Sequence, residues 1–146
     1  MTKTETFDLR DFTPYLLNLA AESSSLQFQT YYRQKYRMLR TEWRVVFHLG
    51  RYGPMHAKQI CDRARIHKTK VSRAVSALEE KGFLTRRIED ADRRHAVLEL
   101  TDEGAAVFKE LFAAAQEFDS ALMSDFSNDE KVLVKRLLRK LAALEE

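Results

Sequence analysis

Apolar residues recur at three- and four-residue steps through most of this chain, and at two-residue steps in one short region. The first stripe runs through Leu16, Leu17, Leu19, Ala20, Leu26, Phe28, Tyr31, Tyr32 and Tyr36. Thr13-Pro14 opens it, with Thr13 as N-cap and Pro14 at the first helical position, so a helix is predicted from there to about Met38. Ser23-Ser24-Ser25 interrupts the stripe and marks a candidate bend. A helix well beyond the average of about 11–12 residues is hard to bury in a small domain, and a partner subunit is expected to cover it.

Three shorter helices follow. Thr41-Glu42-Trp43 starts the second, with Thr41 as cap and Trp43, Val46, Phe47 and Leu49 as its buried side; Gly50 to Pro54 forms the next turn. The third spans His56 to Arg65, with Ala57, Ile60, Cys61 and Ala64 inward. After a turn around Ile66, residues 67–83 read as one amphipathic helix. Val71, Ala74, Val75 and Leu78 share one face, while Thr69, Lys70, Arg73, Ser76 and Ala77 lie largely opposite. Gly82 suits a left-handed ending. Two short helices joined by a tight turn, the second with a polar-basic face, form a helix-turn-helix.

After Gly82 the period changes to two. Residues 83–88 and 95–100 read as strands, with Leu84 and Ile88, then Ala96, Leu98 and Leu100, on the inner face. The polar segment Glu89 to Arg94 between them predicts a hairpin with a charged tip, a wing. Thr101-Asp102-Glu103 caps a helix striped by Val107, Phe108, Leu111, Phe112, Ala115 and Phe118. Ser127 and Glu130 form a capping box before a last helix with Val134, Leu137, Leu138, Leu141 and Leu144. The expected fold class is therefore mainly α with a small β-hairpin wing.

Charge distribution adds what the net +3 conceals. Residues 1–53 carry +3, residues 54–100 carry +4 and residues 101–146 carry −4. Arg63, Arg65, Lys68, Lys70 and Arg73 form a basic run with no acid inside it, the footprint of a polyanion partner. The run coincides with a turn and a helix start, which weakens the alternative of an ordinary solvated face. Short or basic side chains at a helix N-terminus suit the DNA major groove. An arginine at the wing tip, Asp92-Arg93-Arg94, suits a narrow minor groove, against the alternative of a solvated loop.

A chain of 146 residues, 45% hydrophobic and 32% charged, is the size of one globular domain. No apolar run approaches the ~20 residues of a membrane span, so no membrane association is expected. Met1 to Asp11 lacks a signal-peptide pattern, and the single cysteine, Cys61, fits a reducing cytoplasm. There is no phosphate-cradling glycine loop and no G-x-S-x-G, and His48, His56, His67 and His95 have no metal-ligand spacing. No cofactor, metal or catalytic residue is expected. Cys61 reads as a small core residue ahead of a redox switch. Tyr31, Tyr36 and His48 are candidates for an effector cavity, with a core or interface role at least as well supported for the tyrosines and a packed or solvent-facing one better supported for His48.

Taken together, the chain resembles the MarR (multiple-antibiotic-resistance regulator) family of winged helix-turn-helix repressors. The resemblance rests on residues 41–104: Lys68-Thr69-Lys70-Val71-Ser72-Arg73, then Leu78-Glu79-Glu80-Lys81-Gly82-Phe83-Leu84, then Asp90-Ala91-Asp92-Arg93-Arg94 and Leu100-Thr101-Asp102-Glu103-Gly104, in order and spacing. It implies one domain over 1–146. Residues 41–104 would be the DNA-binding part, and 12–38 and 102–146 N- and C-terminal dimerisation helices. It implies a homodimer on a pseudo-palindromic operator in double-stranded DNA, relieved by a small aromatic or lipophilic effector or by thiol oxidation. The residues it assigns to bases or phosphates are Thr69, Lys70, Ser72 and Arg73, with Arg94 at the wing tip and Asp92 orienting it. The basic run and position add Arg63, Arg65, Lys68, Ser76 and Arg93. Oxidation-sensing members keep their reactive cysteine in the first helix, where this chain has none. The reading from another class is a winged-helix module that binds proteins and not DNA; Arg73, Arg94 and the basic run count against it.

Overall fold

The computed structural model describes residues 7–88 and 96–144, and among these it holds six α-helices and three short strands. A 3-10 turn at Leu9–Asp11 precedes α1 (Thr13–Tyr36), followed by α2 (Arg40–Tyr52), β1 (Met55–His56), α3 (Ala57–Ala64), α4 (Lys68–Glu80), β2 (Leu84–Arg87), β3 (Val97–Leu100), α5 (Asp102–Leu122) and α6 (Asn128–Leu141). The chain divides into two compact units, Met1–Phe112 and Ala113–Glu146. Among the described residues, no helix is long and apolar enough to cross a membrane.

In the first unit the helix starts differ from expectation by one or two residues. Phe12 is the N-cap of α1, so Thr13 and Pro14 both lie inside the first turn. Proline is tolerated there because first-turn N–H groups have no intrahelical acceptor. The serine run does not break the helix, which is continuous across it. Ser24 returns its hydroxyl to the Ala20 carbonyl at 2.7 Å, satisfying itself within the turn. α1 stops at Tyr36 and not at Met38, because Arg37 adopts a left-handed conformation at φ 54°. α2 is capped at Leu39 and not at Thr41. Glu42 reaches back and accepts the Leu39 N–H at 2.8 Å.

Val45, Val46, Ile60, Val71, Val75, Leu78, Leu84, Leu98 and Leu111 form the centre of the core. Val45 is buried where the sequence pointed to Trp43, which is only half-buried. Ala57 is exposed, contrary to its inward assignment. An aromatic file connects α1, α2 and the start of α5: Phe28 and Tyr32 meet Trp43, Trp43 meets Phe47, and Phe47 meets Phe108 and Phe112. Gly50 lets the Phe108 ring lie on α2, since a Cβ there would fall 2.2 Å from the ring.

The sheet is antiparallel in the order β1-β3-β2, with Leu84 opposite Leu100 and Arg87 opposite Val97. The sequence pattern missed β1. Met55 pairs with Leu98 and His56 with Val97, so His56 is a strand residue and the N-cap of α3, not its first turn. Two residues are too short for any period to show. Ile88 is exposed and lies beyond the end of β2, so it does not share the inner face with Leu84. The wing tip, residues 89–94, and His95 lie outside the described residues.

In the second unit, the end of α5 and α6 are joined by a turn closed by Phe126 N–H on the Met123 carbonyl at 3.1 Å. Ser127 accepts the Glu130 N–H at 3.2 Å while Glu130 accepts the Ser127 N–H at 3.0 Å, the capping box read from the sequence. These backbone and hydroxyl donors hold the Glu130 carboxyl below its ordinary value. Lys135 pairs with Asp119 at 2.6 Å. Among the described residues, Leu133, Leu137, Leu138 and Leu141 of α6, and Leu144 beyond its end, are exposed.

Candidate nucleic-acid interface

α4 carries the candidate surface, and the way it is built explains which side chains are available. His67 caps it, its Nδ1 accepting the Thr69 N–H at 3.2 Å, so the ring nitrogen supplies what a serine or aspartate oxygen usually would. Val71, Ala74, Val75 and Leu78 are buried, which fixes the helix by its apolar face. Thr69, Lys70, Ser72, Arg73 and Ser76 are then forced outward. The helix ends at Glu80, and Gly82 follows in the left-handed region at φ 80°. The three-residue turn Arg65-Ile66-His67 joins α3 to α4, with Arg65 left-handed at φ 53°.

Among the described residues, Lys68, Lys70 and Arg73 have no ion-pair partner, whereas the other predicted basic residues differ. Arg63 lies over the Tyr52 ring, 3.8 Å from its centroid. Arg65 has interactions of its own. Ser76 accepts a hydrogen bond from Arg86 Nη2 at 3.2 Å, and Arg86 Nε also meets Glu79 at 3.3 Å. A strand residue that the sequence did not single out therefore ties the wing to α4. The two-residue period that defined β2 marked Arg86 only as a polar position. Asp92, Arg93 and Arg94 lie outside the described residues.

Beside α4, between α3 and the sheet, lies a cavity of about 560 Å³ lined in part by Cys61, Lys68, Ser72, Val75, Arg86 and Leu98. Cys61 is half-buried at its edge and so is neither a sealed core residue nor a free surface thiol.

The three candidate effector residues do not converge. Tyr31 and Tyr36 both donate to Glu110 of α5, Tyr31 at 3.2 Å, and Lys35 pairs with the same carboxylate. Burial raises the Tyr36 phenol above its ordinary value. His48 instead meets the Arg44 carbonyl at 2.7 Å through Nδ1 and lies beside Tyr52. Among the described residues, no group of His, Cys, Asp or Glu could hold a metal ion.

Comparison with known proteins matches this arrangement. Residues 38–95 fit the model of the MarR family. The uncharacterised HTH-type transcriptional regulator YwaE of Bacillus subtilis is 24% identical over 123 residues, 84% of this chain and 72% of that protein. A MarR/EmrR family transcriptional regulator from Acinetobacter sp. ADP1 superposes with a TM-score of 0.83 at 28% identity, covering 93% of this chain and 96% of that one. Bordetella bronchiseptica BpsR, whose DNA binding is regulated by 6-hydroxynicotinic acid, shares the fold at a TM-score of 0.84 and 20% identity, over 95% of this chain and 99% of its own. A helix-turn-helix with an outward basic face, a strand pair behind it and relatives of this kind lead to one identification: the chain is a DNA-binding transcriptional regulator whose residues 38–95 match the MarR family.

Proposed function

We propose that the protein acts as a homodimeric, ligand-responsive repressor on a pseudo-palindromic operator, in the cytoplasm and without enzymatic activity. The observation that carries this is the division of α4: one face buried to the last side chain, the other exposing Thr69, Lys70, Ser72 and Arg73. In this reading residues 41–104 bind DNA. Thr69, Ser72, Arg73 and Ser76 face base edges, and Arg63, Arg65, Lys68 and Lys70 face phosphates. Asp92, Arg93 and Arg94 carry the wing contact. Residues 12–38 and 102–146 form the dimer contact, supported by the exposed Leu16, Leu19 and Leu26 of α1 and by the exposed leucines of α6. A small aromatic or lipophilic molecule would release the DNA, with Tyr31, Tyr36 and His48 as the residues to test.

The experiment is selection of retained fragments from a randomised duplex library, with sedimentation equilibrium alongside. A two-fold symmetric consensus with half-sites about one turn, roughly 10 bp, apart is expected from a stable dimer. A folded monomer at micromolar concentration, or no enrichment of any sequence, overturns the reading. Thermal shifts against aromatic acids and phenols, 6-hydroxynicotinic acid among them, test the effector.

A further inference from the structure

Glu42 is the one charged side chain buried among the described residues, at 3% exposure. A carboxylate so placed is costly unless its oxygens are satisfied. One oxygen accepts the Leu39 N–H at 2.8 Å and the other accepts from Lys81 Nζ at 2.5 Å. The same ammonium donates to the Arg37 carbonyl at 2.9 Å. One nitrogen thus joins the residue that ends α1, the first turn of α2 and the residue that ends α4. Lys81 is the C-cap of α4, where a cation also suits the partial negative charge of the helix end.

The apolar contacts of α4 fix which of its faces meets the core, but they are non-directional. An ammonium with two fixed acceptors adds a directional anchor at the C-terminal end of the helix. Lys81 lies eight residues beyond Arg73, about 12 Å along the helix axis, so it can steer the reading face without being part of it. Phe83, two residues further on, meets the Tyr36 ring edge-on at 6.1 Å, a second contact between the same two segments.

We propose that Lys81 is a positioning residue for operator recognition. Clamped by Glu42 and the Arg37 carbonyl, it fixes α4 against the α1–α2 corner and so sets the half-site spacing a dimer accepts. This rests on the dimeric DNA-binding reading above. It separates two properties that a simple loss of folding would not. Base preference inside a half-site belongs to Thr69, Ser72 and Arg73, while spacing belongs to the clamp.

The test uses the full chain and duplexes carrying two copies of the half-site selected by the wild-type protein, separated by spacers that differ by single base pairs. Lys81→Met and Glu42→Gln are compared with wild type, with Lys81→Arg as the variant that keeps the charge. Thermal melting identifies which variants are folded at the assay temperature. Glu42→Gln keeps the acceptor for Leu39 and remains informative if Lys81→Met does not fold. The expected result is an unchanged half-site consensus with a flattened spacing profile. The affinity ratio between the best spacing and its neighbours should fall by roughly 2- to 30-fold, the scale of severed couplings between elements. Lys81→Arg should recover part of the ratio. Folded variants that lose affinity equally at every spacing, or keep the wild-type profile, overturn the inference and leave the DNA-binding reading standing. A wild-type protein that selects no half-site overturns both.

Discussion

Arg86 of β2 donates to the hydroxyl of Ser76 on α4 at 3.2 Å, so a wing strand grips a side chain on the exposed face of the recognition helix. Its Nε also meets Glu79 at 3.3 Å, with both partners about two-fifths exposed, at 40% and 45%. Exposed pairs of this kind contribute about 0–1 kcal/mol to stability. Arg86→Ala should accordingly leave urea unfolding almost unchanged while weakening operator binding, because the strand no longer holds Ser76 and Glu79 in place. A loss of stability well above 1 kcal/mol, or binding equal to wild type, would contradict this assignment.

Arg73 and Arg94 should separate on mutation. Arg73 stands on the exposed face of α4, one turn beyond Thr69, where a guanidinium can meet guanine O6 and N7 together. Arg73→Ala should cost ~1–3 kcal/mol per contact and relax preference at one base pair of each half-site. Arg94→Ala should weaken binding broadly and blunt preference for A·T-rich flanks, leaving the central readout intact, with Asp92→Ala a milder version. Competition over a randomised operator library reads both. Identical specificity profiles for the two arginine variants would remove the division of labour.

Periodicity made the large elements legible. The stripe of α4 and its outward Thr69, Lys70, Arg73 and Ser76 came from spacing, because a helix fixed by one apolar face leaves no choice for the other; Ser72 came from the family resemblance, and Ala77, read as outward, is half-buried. The capping boxes and hydroxyl caps were legible at Ser127 and Thr101, where the capping side chain adjoins its helix. Caps at Phe12, Leu39 and His67 were not, since none of these residues announces a helix start by type. Long-range polar pairs were invisible. Nothing in the sequence connects Lys81 to Glu42, or Tyr36 to Glu110, because those contacts depend on how helices cross.

Alkaline pH offers a test of the α1–α2 packing. Burial pushes the Tyr32 phenol above its ordinary value, and the nearby Arg40 and Arg44 guanidinium groups, which pull the other way, do not cancel it. The folded state thus keeps a proton that the unfolded chain gives up first. Stability from this group is complete below about pH 10, the unfolded value, and is lost as pH rises through the folded one. Tm should therefore drop less steeply above pH 10 in Tyr32→Phe than in wild type, with parallel curves below it. Tyr36, raised by burial alone, should behave in the same sense. Curves that stay parallel across the whole alkaline range would show that neither phenol is buried as described.

Gly104 sits where two opposing effects can be weighed. It is a buried helical residue near the start of α5, and alanine would ordinarily gain about 1 kcal/mol there from helix propensity. Yet a Cβ built at this position falls 1.9 Å from the backbone oxygen of Phe83. Backbone cannot swing aside as a side chain can, so α5 or the turn after α4 must move. That turn is held by Thr101 N–H on the Phe83 carbonyl at 3.1 Å and by the Thr101 hydroxyl on the Gly82 carbonyl at 2.6 Å. Moving either segment lengthens these bonds and shifts Lys81, the cap of the recognition helix. Overpacking costs about 1–3 kcal/mol and more where backbone must yield, so the steric term outweighs the propensity gain. Gly104→Ala should lower the urea midpoint with the slope unchanged, and weaken operator binding beyond its loss of folded protein. A stabilised Gly104→Ala would mean that α5 and the turn at Phe83 do not approach this closely.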